Sequence, residues 1–207
     1  MKLYLDGLER MGNVFLSYVF GNTIGKNVIS TRRHGVEVLR EYKQDGPFIV
    51  PLRDALPSLA SAQVYRKRIY ETSGMHATKE HEYAAFQSEN MIARYDEFLQ
   101  YLLDNDIFFI APFDEFTNNT DAFIETFLKK HPEVLDDNRK VKKVDIDGIF
   151  KQGMSRDGAD PLTGNFPRKY SEERNLAYDN FLKNHGTDID KLQQKINILY
   201  QRYYNIK

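Results

Sequence analysis

A three-layer α/β fold is predicted, with a short central parallel sheet between helices and a helical C-terminus. Two features of the sequence carry the prediction. Short apolar runs alternate along the chain with longer stretches whose apolar residues recur every three or four positions. The runs are near-continuously apolar rather than alternating, as in strands covered on both faces. Strands that alternate with helices imply crossover connections and a parallel sheet.

The elements follow in order. Leu3 to Asp6 is a short apolar run that ends at Gly7 and suits a buried strand. Asn13 to Phe20 is apolar enough for a buried helix, so the chain opens strand, tight loop, helix. Asn27 to Thr31 is a second short strand and Val36 to Lys43 a helix. Gly46-Pro47 punctuates the chain before a third strand, Phe48 to Leu52. Ala55 to about Thr72 is a helix with Pro57 in its first turn. A long helix from about Glu80 to Leu103 follows, with Tyr83, Phe86, Met91, Tyr95, Phe98 and Leu102 as its apolar positions. Ile107 to Pro112 is the fourth strand, and Asp121 to Lys130 a helix with Thr120 as its candidate cap. The segment 134–165, rich in Asp, Lys and Gly, is expected to be a long irregular loop. Two helices, Ser171 to Lys183 and Asp188 to Tyr204, close the chain, the first favoured at its start by the charges of Glu172 and Glu173.

The 207 residues suit a single domain, 1–207, with a well-buried core. Net charge is -1, so any anion site must be local, and there is no general electrostatic signal for nucleic acid or a membrane surface. The sequence has no cysteine, which excludes disulfides, thiolate catalysis and thiolate metal sites and fits a cytoplasmic setting. The segment Met1 to Gly7 has no long apolar core, so no signal peptide is expected, and no apolar run is long enough for a membrane span.

On an open parallel sheet, ligands bind where strands end. The loop Glu9-Arg10-Met11-Gly12-Asn13 follows the first strand and opens a helix. Backbone N–H groups and the helix dipole favour an anion there. Gly12 permits a close approach, Arg10 adds a positive charge and Asn13 a side-chain donor. The simpler alternative is a tight turn. A nearby run from Gly21 to Asn27 imitates a nucleotide-binding loop ending in Gly25-Lys26. It follows a helix, is one residue short and lacks the hydroxyl that would hold Mg²⁺, so it reads as a helix stop at Gly21 and a turn.

The residues after successive strands resemble those of the sulfotransferases. Leu8 to Phe15 is similar to that family's 5′-phosphosulfate loop, with Arg10 at the basic position, Gly12 at the glycine, Asn13 at a hydroxyl position and Phe15 at the aromatic. It departs at Glu9, Met11 and Val14, where the family has Pro, Ser and Thr. Arg53 followed eight positions later by Ser61 resembles the pair that binds the 3′-phosphate, with Ala55 in place of the usual Pro. Arg32-Arg33-His34 resembles Lys-Thr-His, in which the His is the base, and Ile110 to Phe116 resembles a Tyr-Glu-Asp-Leu fold marker. Arg168 and Lys169 are candidates for a basic segment that closes over the nucleotide, whereas Arg139 to Lys143 reads as a solvated charge run.

The resemblance implies a P-loop-like sulfotransferase topology and sulfuryl transfer from 3′-phosphoadenosine 5′-phosphosulfate (PAPS) to a hydroxyl or amine of a small-molecule or glycan acceptor, without a metal. It implies His34 as base, Arg10 and Arg32 as stabilisers of developing charge, and a cofactor set of Arg10, Met11, Gly12, Asn13, Val14, Phe15, Arg53, Ser61, Arg168 and Lys169. The rival readings are a Mg-ATP phosphotransferase using Asp6 and Asp54, a degenerate relative with a structural or nucleotide-binding role, and a module that binds through its C-terminal helices.

Overall fold

The computed structural model describes residues 2–24, 28–30, 34–72, 87–135, 143, 145–149 and 172–207. Four strands, β1 (Leu3–Leu5), β2 (Val28–Ser30), β3 (Phe48–Leu52) and β4 (Phe109–Pro112), form one sheet in the order β2-β1-β3-β4. All pairings are parallel, with Leu3 opposite Val28, Tyr4 opposite Phe48 and Ile49 opposite Phe109. The helices are α1 (Asn13–Thr23), α2 (Val36–Tyr42), α3 (Ala55–Thr72), α4 (Ser88–Asp104), α5 (Phe113–Asn118), α6 (Thr120–Lys130) and α7 (Glu172–Tyr204).

The sheet separates two cores, because successive side chains of a strand point to opposite faces. Tyr4, Phe48, Val50, Leu52 and Ile110 pack on the side of α2, α3, α4 and most of α7. Leu3, Leu5, Ile49, Phe109 and Ala111 pack on the side of α1, α5 and α6. All five residues of β3 are buried, as its unbroken apolar run predicts. The second core is aromatic. The Phe109 ring lies 5.0 Å from Phe127, 5.9 Å from Phe123 and 6.0 Å from Tyr203, in edge-on contacts.

Several boundaries differ from the sequence reading, each for a physical reason. Strand β4 begins at Phe109 rather than Ile107, which is 53% exposed and lies outside the sheet. Helix α1 runs through Gly21 to Thr23, so Gly21 is not its stop; Thr23 Oγ1 donates to the Val19 carbonyl instead. Thr120 does not cap α6. Its hydroxyl donates to the Phe116 carbonyl (2.8 Å) and ties α6 to α5, a helix that the acidic turn after β4 did not foretell. The two predicted C-terminal helices are one element with non-helical backbone at His185, and it starts on Glu172 and Glu173. The part of the long helix predicted before Gln87 lies outside the described residues, as does most of 134–165; within that span Ile146–Ile149 form a helical turn.

Helix α7 fastens the first core. Arg202 donates to the carbonyls of Leu102 (2.6 Å), Leu103 (2.7 Å) and Asn105 (3.0 Å), which satisfies the open C-terminal end of α4 with a cation. Tyr200 donates to the Leu52 carbonyl at the end of β3 (3.2 Å). Among the described residues no helix is long and apolar enough to cross a membrane. Phe109 is the hub of the second core, so Phe109→Ala should lower unfolding free energy by about 3–5 kcal/mol, read from urea denaturation.

Candidate functional site

The sheet order sends the chain from β1 outward to β2 and then back past β1 to β3. Such a reversal, here at the carboxyl ends of β1 and β3, is where the ligand crevice of open α/β sheets lies. Three segments meet there: the loop 6–12 after β1, His34 after β2, and Arg53 after β3.

The loop is built by close approach. A Cβ on Gly7 would lie 2.9 Å from the Pro51 carbonyl oxygen, so only glycine lets the end of β1 lie against β3. Asn13 donates through Nδ2 to the carbonyls of Gly7 (3.2 Å) and Leu8 (3.0 Å). Its amide hydrogens therefore clasp the loop, which corrects the expectation that Asn13 donates to an anion. Gly12 caps α1 at φ 99°, and a Cβ there would strike the Phe116 ring at 2.6 Å. Met11 and Phe15 are fully buried, in the first and second core, so their side chains are packing groups; Val14 is partly buried. Arg10 adopts φ 64°, in the left-handed region disfavoured for residues with a side chain.

Glu9 is the acidic residue of the loop, and the fold answers its charge. Arg66 on α3 binds both carboxylate oxygens, Nε to Oε2 at 2.9 Å and Nη2 to Oε1. Burial raises the Glu9 pKa, but Arg66, then His34 and Arg94, outweigh it and hold the carboxyl below its usual range. The Glu9 backbone carbonyl accepts from Tyr95 (3.3 Å), whose hydroxyl also meets Ser58 (3.0 Å).

With Glu9 turned to Arg66, the loop offers Arg10. Its Nε donates to Ser61 on α3 (3.3 Å), and its guanidinium lies 4.9 Å from the Tyr65 ring, one helical turn further on. Arg53 stacks on Phe113 at 4.6 Å. No carboxylate among the described residues pairs with it; its neighbour Asp54 accepts from Gln193 instead. A third arginine, Arg174 on α7, is only 3% exposed. Burial first, then the charge of Arg174 and further that of Arg53, brings the Arg10 pKa down to about 10 despite Tyr65 and Glu9, so Arg10 stays charged at neutral pH. Arg174 is buried and Arg10 and Arg53 are half-buried, and Arg174 and Arg53 each repel the charge on Arg10 less than its own burial disfavours it.

His34 faces the same loop. Its Nδ1 lies 2.9 Å from Asp6 Oδ1 and 2.9 Å from the Gly7 carbonyl oxygen, two acceptors, so Nδ1 carries the hydrogen. Asn13 Nδ2 is 3.4 Å from the same atom. Burial lowers the His34 pKa, but Asp6, then Glu9 and the Gly7 carbonyl, raise it further, to a net value above the ordinary imidazole range.

The structure therefore brings together Arg10, Gly12, Arg53, Ser61 and His34 from the sequence prediction. Arg32, Arg168 and Lys169 lie outside the described residues. Arg174, Arg66 and Arg94 enter only from the tertiary structure, and Asp6, in the sequence a candidate metal carboxylate, enters as the partner of His34. Arg174 left one signal in the sequence: it shares the buried stripe of Ala177 and Phe181, three and seven positions on, where an apolar residue belongs. Among the described residues no group of three or more His, Asp or Glu side chains is arranged to hold a metal ion.

Removing Arg66 leaves the buried Glu9 carboxylate without its fork. Arg66→Ala should cost about 1–3 kcal/mol at pH 7, less than for a wholly buried pair because Arg66 is 32% exposed. Glu9 has a depressed folded pKa, so its pairing stabilises above its ordinary value of 4.5 and is lost as pH falls through the folded value. The deficit of the variant should accordingly shrink in urea titrations as pH drops below that range. No family model, curated protein or solved structure matches the chain, so the chemistry of the site rests on its own geometry.

Proposed function

We propose that the crevice binds a nucleotide carrying two separated anionic ends, and that the chain is a PAPS-dependent sulfotransferase of P-loop-like topology. The observation that carries the reading is the convergence of Arg10, Arg53 and Arg174 at the end of the sheet beside the N-terminus of α1. Guanidiniums grouped in this way make a local positive potential that attracts an anion. A helix N-terminus capped by Gly12 adds a positive dipole at the same place.

The donor set fits both ends of PAPS. Arg10 and the backbone N–H groups around Gly12 suit the phosphosulfate end, whereas Arg53, joined by Arg174, suits the 3′-phosphate, with Ser61, which accepts from Arg10, as a further hydroxyl. When bound, PAPS supplies the sulfuryl group and its adenosine bisphosphate is the leaving group. His34 takes the proton of the acceptor hydroxyl or amine on Nε2, since Nδ1 already bears hydrogen. Arg10 offsets the charge that builds on the leaving phosphate oxygen. The acceptor is a small molecule or glycan.

Thermal denaturation with 3′,5′-adenosine bisphosphate, and separately with ATP and Mg²⁺, tests the reading. Bisphosphate at about 100 times its Kd should add about 2.7 kcal/mol and raise Tm by several degrees. Arg53→Ala and Arg174→Ala should each weaken bisphosphate binding by at least about tenfold, the loss of one charge-assisted hydrogen bond. Stabilisation by ATP with Mg²⁺ alone would point to phosphoryl transfer, and no response to either ligand would remove the nucleotide site.

A further inference from the structure

Asp6 is 1% exposed, and the sulfotransferase resemblance gives it no role. It stands at the end of β1, and its Oδ1 accepts from the backbone N–H of Gly7 (2.8 Å) as well as from His34 Nδ1 (2.9 Å). His34 is held at three points. Asp6 and the Gly7 carbonyl share its Nδ1–H, and Arg94 Nη2 donates to its backbone carbonyl (3.0 Å). That backbone lies at φ 53°, left-handed, and is followed by Gly35 at φ 131°. A side chain kept in a disfavoured backbone conformation by contacts from the loop after β1 and from α4 is over-determined, as functional groups often are. The imidazole is 21% exposed, and no hydrogen-bond partner among the described residues reaches Nε2.

We propose that Asp6 is the positioning residue of a carboxylate–imidazole pair, fixing His34 in the tautomer with hydrogen on Nδ1 and leaving Nε2 as the atom that accepts a proton. The base role of Nε2 rests on the sulfuryl-transfer reading; the tautomer and its cause do not. In the step itself, the acceptor O–H or N–H bond breaks, its proton passes to Nε2, and Asp6 stabilises the imidazolium that forms without taking the proton. The charged groups facing the ring are Asp6 at the end of β1, Glu9 in the loop and Arg94 on α4, with Glu37 on α2 lying against Gly35. Glu9 is committed to Arg66, so Asp6 is the carboxylate that acts on the ring directly.

The test is nitrogen-15 NMR of the full chain, with the His34 resonances assigned from His34→Asn. In the wild-type protein, above the titration midpoint, the Nδ1 shift should be that of a protonated nitrogen and the Nε2 shift that of a bare one. The opposite tautomer, or an even mixture, overturns the proposal and needs no variant. In Asp6→Asn the midpoint of His34 should move to lower pH, and a midpoint unchanged from wild type also overturns it. Binding of 3′,5′-adenosine bisphosphate is measured in parallel on the wild-type protein. Absence of bisphosphate binding in the wild type overturns the nucleotide reading and leaves the tautomer result standing.

Discussion

Everything at the crevice depends on how closely β1 lies against β3. The two strands pair in parallel, with Tyr4 N–H donating to the Pro47 carbonyl (2.9 Å) and Asp6 N–H to that of Ile49 (3.3 Å). The chain can leave β1 beside Pro51 only because Gly7 has no side chain. From there Asn13 clasps the turn, Gly12 starts α1, and Arg10 points toward α3 rather than into water. A sheet ordered differently would separate the Arg10 loop from Arg53, and no set of loop residues would bring them back.

The loop also shows how a fold handles unwelcome charge. Glu9 and Arg10 are neighbours of opposite sign, yet they do not neutralise each other as a pair. Glu9 is buried against Arg66, whereas Arg10 reaches Ser61 and Tyr65 on the same helix. Helix α3 thus receives both charges at different positions, a cation for one and a hydroxyl with an aromatic face for the other. The negative charge of Glu9 is met by Arg66, and the Arg10 guanidinium stays beside Ser61 and Tyr65. Arg10 lies near two further guanidiniums, those of Arg53 and Arg174.

Much of the fold was legible because the strands are covered on both faces. An unbroken apolar run such as Phe48 to Leu52 has few alternatives, and all five of its residues are buried. The elements that were misread are those decided by contacts distant in sequence. Gly21 looked like a stop, but α1 continues through Thr23 over a core shared with the sheet, α5 and α6. Thr120 looked like a cap, but its hydroxyl belongs to the carbonyl of Phe116. Local chemistry proposes such roles, and the nearest competing acceptor settles them.

The site divides along the same line. By itself the sequence determined the residue types that end each strand: Gly12 and Arg10 after β1, His34 after β2, Arg53 after β3, with Ser61 two turns into α3. Those positions follow from local periodicity and from glycine's conformational freedom, which need only near neighbours. Only the tertiary structure decided that Asp6 faces His34, that Arg66 takes Glu9, that Arg94 holds the backbone at His34, and that Arg174 lies buried near Arg10. These are contacts between residues 28, 57, 60 and more positions apart. Coulomb and hydrogen-bond energies depend on distance in space and on burial, and both are set only when the strand order and the packing of α3, α4 and α7 are complete.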